Sequence, residues 1–341
     1  MAPTAVDLDR YQRSHPVVGF PLAVVYKFVD DQCAYLAAGL TYYAFVAIFP
    51  LLLIASSILG FVLQGDRALE QQVLNSALSQ FPIVGEQLGR PQGLHGSTSA
   101  VVVGTLAALY GALGVGQAGQ NAMNVIWAVP RNTRPDPFLG RLRSLVLLAA
   151  AGLGLMLVTV VSSVAINVSF FGADLGVVLD WLLRLASVLV TALVLAVLFR
   201  LATASTLGVR AALPGALVVS VLWHTLQWFG GFYVRHVIAK ADSMNAIFAL
   251  VLGLLVLIYL AALFTLLGAQ VNVVRERSLY PRALLTPFTD KVELTPADRR
   301  AYRYYARAQR HKGFERVDVR FDTDPPDGDE DHGRRAPARD S

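Results

Sequence analysis

Gln117, Gln120, Asn121 and Asn124 stand at i, i+3, i+4 and i+7 in an otherwise apolar stretch, so a helix there carries four amides along one face. Amides donate and accept hydrogen bonds without ionising. Turned to hydrocarbon, each would keep unsatisfied polar groups, so the face must meet other helices or a hydrated cavity. Interhelical bonding is one use of it. The other is a pathway lining, which Thr41, Tyr42 and Tyr43 on one neighbouring segment and Gln270 and Asn272 on another would complete. These groups predict a neutral vestibule opening to the cytoplasmic side, with no intramembrane carboxylate. Hydrogen-bonded solutes or lipid headgroups suit such a lining better than a bare ion, which commonly uses charged rings or carbonyl filters. Arg131 and Arg134 follow the amide face and could attract a phosphate.

His224 lies well inside an apolar segment, one turn before Gln227. A proton relay would need a second ionisable partner, and no membrane Asp or Glu supplies one. A neutral histidine bonded to a neighbouring helix is the expected state. Cys33 is the only cysteine, which excludes an internal disulfide and a cysteine metal cluster. Gly114, Gly116 and Gly119 spell G-x-G-x-x-G with Asp136 beyond, yet no strand precedes them. No Walker lysine motif or H-E-x-x-H occurs, and Ser162 and Ser163 have no evident His and Asp partners. No catalytic residue, metal or cofactor is expected, and the protein is not expected to be an enzyme.

Apolar helices must position these groups. Gln32–Gly65, Ser144–Ala173 and Ser243–Val274 contain no Asp, Glu, Lys or Arg, and a helical crossing needs roughly 20 apolar residues. Charged residues make up 16% of the chain and its mean hydropathy is +0.52, outside the range of a soluble domain. The expected fold is an all-α integral membrane protein with six crossings near Gly39–Leu63, Ser99–Val125, Ser144–Val168, Val177–Phe199, Ala211–Val234 and Asn245–Val274. Asp180 and Arg184, at i,i+4, could pair at one end of the fourth. Twelve Lys and Arg residues flank the segments on one side, Arg131, Arg134, Arg141 and Arg143 among them, against Arg67, Arg90, Arg184, Arg235 and Lys240 on the other. Both termini are therefore expected in the cytoplasm.

Residues 1–38 should be a cytoplasmic N-terminus with an amphipathic interfacial helix over Pro16–Gln32, uncleaved because Asp7 and Asp9 spoil a signal peptide. Residues 39–274 form the six-helix domain, with an external cap around 66–96. Ala100, Gly104, Ala108, Ala112 and Gly116 recur every four residues as a small-residue packing stripe. Residues 275–341 should be a largely disordered cytoplasmic tail, basic and then acidic over Asp322–Asp331. Within it Thr295, Pro296 and Asp298 start a helix. Its Arg299, Arg303, Arg307 and Arg310, with Tyr302 and Tyr305 on a neighbouring face, suit anionic headgroups better than nucleic acid.

The chain resembles the YihY family of bacterial inner-membrane proteins, which includes the virulence factor BrkB. The resemblance spans about Phe20 to Arg275. It is carried by Ala37-Ala38-Gly39-Leu40-Thr41-Tyr42-Tyr43 with Pro50, by Asn124-Val125-Ile126-Trp127 leading to Arg131, by Pro214-Gly215-Ala216 with Trp223, and by Tyr259 before Leu266-Leu267-Gly268-Ala269-Gln270. Family members often end the last motif in Gly-Ala-Glu, where this chain has Gln270, and Met244-Asn245 replaces a usual Tyr-Gly. The resemblance implies an all-helical, multi-pass inner-membrane fold and a link to envelope integrity or serum resistance. A ribonuclease label carried by some members is not expected here, because no metal-carboxylate or histidine site in water is visible. The expected function is moving or accommodating an amphipathic envelope component, anionic phospholipid foremost. The rivals are a non-transporting scaffold that binds a membrane-protein partner or a second copy, and a membrane enzyme.

Overall fold

A computed structural model of the chain describes residues 5–62, 98–168, 176–204, 207–236, 243–284 and 292–321. Among them all regular structure is helical: α1 (Ala5–Ser14), α2 (Pro16–Asp30), α3 (Cys33–Val62), α4 (Thr98–Ile126), a 3-10 turn (Arg131–Thr133), α5 (Pro137–Val168), α6 (Gly176–Ala202), α7 (Val209–His236), α8 (Ser243–Glu276) and α9 (Pro296–Ala308). The six segments expected to cross overlap the helices α3 to α8. Within the described residues four windows are long and apolar enough to cross a membrane, Pro137–Val161, Trp181–Ala202, Val209–Phe232 and Val251–Glu276, and Cys33–Ile48 is a shorter apolar helix. The cap around 66–96, the acidic stretch after Phe321 and the side chains of Pro50, Ala100, Gly104, Ala108, Ser162, Ser163 and Asp180 lie outside the described residues.

Each long helix packs on the next in sequence, and α8 returns to α3, closing a six-membered ring; α4 also touches α6 and α8 across its interior. Long-range contacts gather alternate helix ends at one basal end. There the Arg143 guanidinium of α5 donates to the carbonyls of Leu201 and Thr203 where α6 ends, and Arg277 donates to the Trp127 carbonyl at 2.5 Å. Asp136, the acid beyond the glycine motif, caps α5 by accepting from the Leu139 N–H at 2.9 Å, with Pro137 in the first turn.

Small residues set the closest approaches, partly away from the expected stripe. A Cβ added to Gly111 would lie 2.8 Å from the Ala47 backbone, and one on Gly114 would strike the Tyr43 ring, so α3 seats on Gly111 and Gly114. Gly116, on the stripe, instead faces Ser144 of α5. At the α7–α8 crossing the backbones themselves touch, since a Cβ on Gly268 would sit 2.6 Å from the Gly215 carbonyl oxygen. Such contact requires the absence of side chains on both helices.

The segment after α8 departs from the expected loose tail. Residues 278–284 and 292–321 fold back over the basal end. Thr295 and Asp298 form a reciprocal capping box at the start of α9. Asp298 also accepts from Arg282 at 2.7 Å and from the Ala283 N–H at 2.9 Å. Local capping combined with long-range ion pairing orders a stretch whose polar composition alone suggests a tail.

Candidate functional site

The sequence-predicted polar residues do not converge on one chamber. Gln120 is buried and its Nε2 donates to Ser144 Oγ at 2.8 Å and to the Gly140 carbonyl at 3.1 Å, joining α4 to α5. Asn124 is buried and accepts from the Ala204 N–H at 3.1 Å, pinning the end of α6. Asn272 accepts from the Gly215 N–H at 2.7 Å and donates to the Ala212 carbonyl at 3.0 Å. It bonds α7 beside Pro214, a helix-internal proline that lacks an N–H of its own. Thr41 bonds back to the Ala37 carbonyl at 2.7 Å. Gln117 and Asn121 are exposed, and Asn121 Oδ1 lies 3.5 Å from Arg134, whose Nε donates to the Val129 carbonyl at 3.2 Å. Arg131 turns to His311 at 3.2 Å. Tyr42 is exposed and stacks edge to face with Tyr43, 5.2 Å between centroids. His224 places Nδ1 2.8 Å from the Ser220 carbonyl and Nε2 3.5 Å from Ser187 Oγ, so it bonds its own helix and faces α6.

Five of the ring helices line a partly open cavity of about 350 Å³. Leu40 and Ala44 of α3, Val115 of α4, Leu195 of α6, Trp223 of α7 and Phe264 of α8 represent its walls. Among the described residues no lining side chain is charged. The lining hydroxyls of Thr191 and Thr265 are taken by carbonyls of their own helices, at 2.8 and 2.7 Å. A volume in the range of small-ligand sites with walls of this kind accepts hydrocarbon and offers nothing to an ion.

Charge is concentrated one to two helical turns below, at the basal end. Gln270 is fully buried on α8, and its Nε2 donates to Asp31 Oδ2 at 2.6 Å beside Cys33 Sγ at 3.2 Å. Asp31 also takes Lys27 Nζ at 2.6 Å, with both side chains almost wholly buried. The expected neutral lining therefore meets a carboxylate here, donated by the turn between α2 and α3. Alongside, Arg282 bridges Asp30 and Asp298, each at 2.7 Å. Burial works against its positive charge, but the bonds to Asp298 and the nearby Asp30 more than offset this, and its pKa is raised. Tyr305 lies over Lys27 at 5.0 Å and donates to Asp30 at 3.4 Å; burial, then Asp31 and Asp30, hold its phenol well above the usual range. Arg277 packs between Trp127 and Tyr304, 5.6 and 4.1 Å from the ring centroids. Tyr302, 5.6 Å from Arg282, likewise faces the protein, whereas the sequence suggested headgroups for both tyrosines.

Sequence reasoning missed this network, because its pairs are far apart in the chain: Arg282 is 252 residues from Asp30. The i,i+4 spacing of Lys27 and Asp31 and the capping pair at Thr295 and Asp298 were the available signals. Among the described residues no group of His, Cys, Asp and Glu is arranged to hold a metal ion.

A family model described as virulence factor BrkB matches residues 24–291. The chain is 27% identical over 272 residues to a UPF0761 membrane protein of Stenotrophomonas maltophilia (strain R551-3), covering 78% of this chain and 62% of the relative. It is 32% identical over 267 residues to one from Alkalilimnicola ehrlichii, covering 74% and 57%, and 29% identical over 284 residues to one from Halorhodospira halophila, covering 79% and 60%. The chain thus spans about three-fifths of the length of these curated relatives. No solved structure matches.

Proposed function

The chain belongs to the virulence factor BrkB family of membrane proteins, and from that premise we propose that it accommodates the acyl chain of an amphipathic envelope component, foremost an anionic phospholipid, inside its helical ring. One observation carries the reading: the uncharged cavity of about 350 Å³ that five of the six ring helices line. In this reading α3 to α8 are six crossings of the bacterial inner membrane and the basal end is cytoplasmic. The excess of Arg and Lys there supports that orientation. An acyl chain leaving lipid for an apolar cavity gains little hydrophobic free energy, so headgroup contacts must supply the preference. Arg141, Arg200, Arg210 and Arg275, exposed near basal helix ends, are suited to attract phosphate.

The proposed role contains no covalent step, and any energy for directed movement would come from a gradient or a partner. For the scaffold reading, Gln120 and Asn124 are already bonded within the chain, which leaves Gln117 and Asn121 as the exposed amides of that face.

The test is photocrosslinking in liposomes with anionic phospholipid bearing a diazirine near the acyl terminus. Adducts at Trp223 and over Ile258–Thr265, lost when Ala262→Trp fills the cavity, are expected. Adducts confined to outward residues such as Leu153 and Leu189 would overturn the reading. Leaflet exchange in the same liposomes separates accommodation from movement, since only movement accelerates it above the protein-free rate.

A further inference from the structure

Helix α2 has its polarity reversed relative to a helix resting in water. Its exposed positions are Pro16, Val17, Val18, Pro21, Val25 and Val29, all apolar. Val17 is 86% exposed, and Val25 and Val29 are 51% and 56% exposed. Its charges point the other way: Lys27 to Asp31, and Asp30 to Arg282. An aqueous amphipathic helix shows the opposite arrangement, and a continuous exposed apolar stripe on a protein surface marks a contact with lipid or another molecule.

Depth decides which. Gly19 packs beside Pro281, beyond the end of α8, whereas the Lys27 carbonyl lies 3.5 Å from Gln270 Nε2. Gln270 is inside Val251–Glu276, a window long and apolar enough to span a bilayer, and six residues before its end, about 9 Å at 1.5 Å per residue. Thus α2 descends beside α8, and its C-terminal half lies level with the membrane-spanning part of the ring. Lys27 and Asp31 are tolerated at that depth because the two charges meet each other and the Asp31 carboxylate also accepts from Gln270.

We infer that α2 is immersed in the basal leaflet, with Val18, Pro21, Val25 and Val29 against lipid acyl chains and the Lys27–Asp31 pair sealed between that helix and the ring. This goes beyond an interfacial helix with its charges at the headgroups, and it stands independently of what the central cavity holds.

The test places spin labels on full-length protein in liposomes at Val25→Cys and, separately, Val29→Cys. Cys33, buried at 1% exposure, serves as the unlabelled native thiol, and the parent chain controls for labelling there. Collision with oxygen should exceed collision with a charged nickel complex by about tenfold at both sites, because an apolar gas enters hydrocarbon and a charged complex does not. A label at Arg307→Cys on α9 should show the reverse. Equal or greater nickel accessibility at Val25 and Val29 would overturn the inference, and so would dipolar broadening between labels, which would mean that a second copy covers the stripe. Brominated acyl chains quenching Val25→Trp fluorescence give the same answer without a nitroxide, should either labelled variant fail to fold.

Discussion

The middle of the ring and its basal end handle polar groups in different ways. In the middle, hydroxyls and His224 bond to backbone of their own or an adjacent helix, and the remaining space is an uncharged cavity. At the basal end Lys27, Asp30, Asp31, Arg282 and Asp298 form a compact buried network whose ion pairs are as short as 2.6 Å. The contrast separates two jobs: the middle holds helices at fixed spacing around a hydrocarbon-like space, whereas the basal end ties α2 and α9 to that ring through charge. A low dielectric makes each charge costly unless its partner is present. Damage to one charged partner should therefore cost more than damage to one amide.

Arg282→Met gives the sharpest break. It leaves Asp298, fully buried, and Asp30 without their cation, and should destabilise the detergent-solubilised protein by about 3–5 kcal/mol, read as thermal unfolding. A loss no larger than that of an amide substitution would erase the distinction between the two regions. In the ring, Gly215→Ala drives a Cβ into the Gly268 carbonyl and should cost about 1–3 kcal/mol or more as α7 and α8 are pushed apart.

Asn124→Leu leaves the Ala204 N–H unpaired at the end of α6 and should cost about 1–3 kcal/mol. Gln117→Leu, at an exposed site on the same helix, should change stability by about 0.5 kcal/mol or less. Equal effects would mean that the amide face works as a unit rather than as separate interhelical bonds. Ser278 closes α8 at φ 51°, and the Leu279 N–H returns to the Val274 carbonyl at 2.9 Å. Ser278→Gly removes the left-handed strain and should add about 1 kcal/mol, visible as a higher melting temperature.

The smallest effect is a pH dependence at α1. Burial opposes ionisation of Asp9, but the Leu284 N–H, Gln12 and Arg13 outweigh it and hold its pKa below the usual carboxylate range. A lowered folded-state value stabilises the protein above that range and loses its contribution as acid titrates the group. Amide exchange at Leu284 should accelerate only under strongly acidic conditions, and Asp9→Asn should flatten the response.

Helix existence was legible because a bilayer demands long apolar runs, and each of the six expected segments overlaps one of the helices α3 to α8. Their ends were less so: α3 begins at Cys33 and α5 at Pro137, earlier than hydropathy placed them, and for α5 the Asp136 cap and the Arg143 contacts hold the added turns. At the candidate site the residue types were legible and their partners were not. The i, i+3, i+4, i+7 spacing put four amides on one face, yet the fold gives Gln120 to α5, Asn124 to the end of α6 and Asn121 to Arg134. Spacing within one helix cannot report which neighbour stands opposite each residue.

The sequence by itself determined that this chain is a helical membrane protein, which segments are long apolar helices and where a cap begins α9, since backbone satisfaction in lipid and local capping are properties of contiguous residues. Tertiary structure alone decided that the ring closes between α3 and α8, that a cavity remains within it, and that Arg282 joins Asp30 of α2 to Asp298 of α9. Those outcomes depend on groups far apart in the chain meeting closely, as Arg282 and Asp30, 252 residues apart, do at 2.7 Å. It also decided which way α2 faces: its sequence contains both an apolar and a charged side, and only the partners waiting on α8 and α9 turn the charges inward.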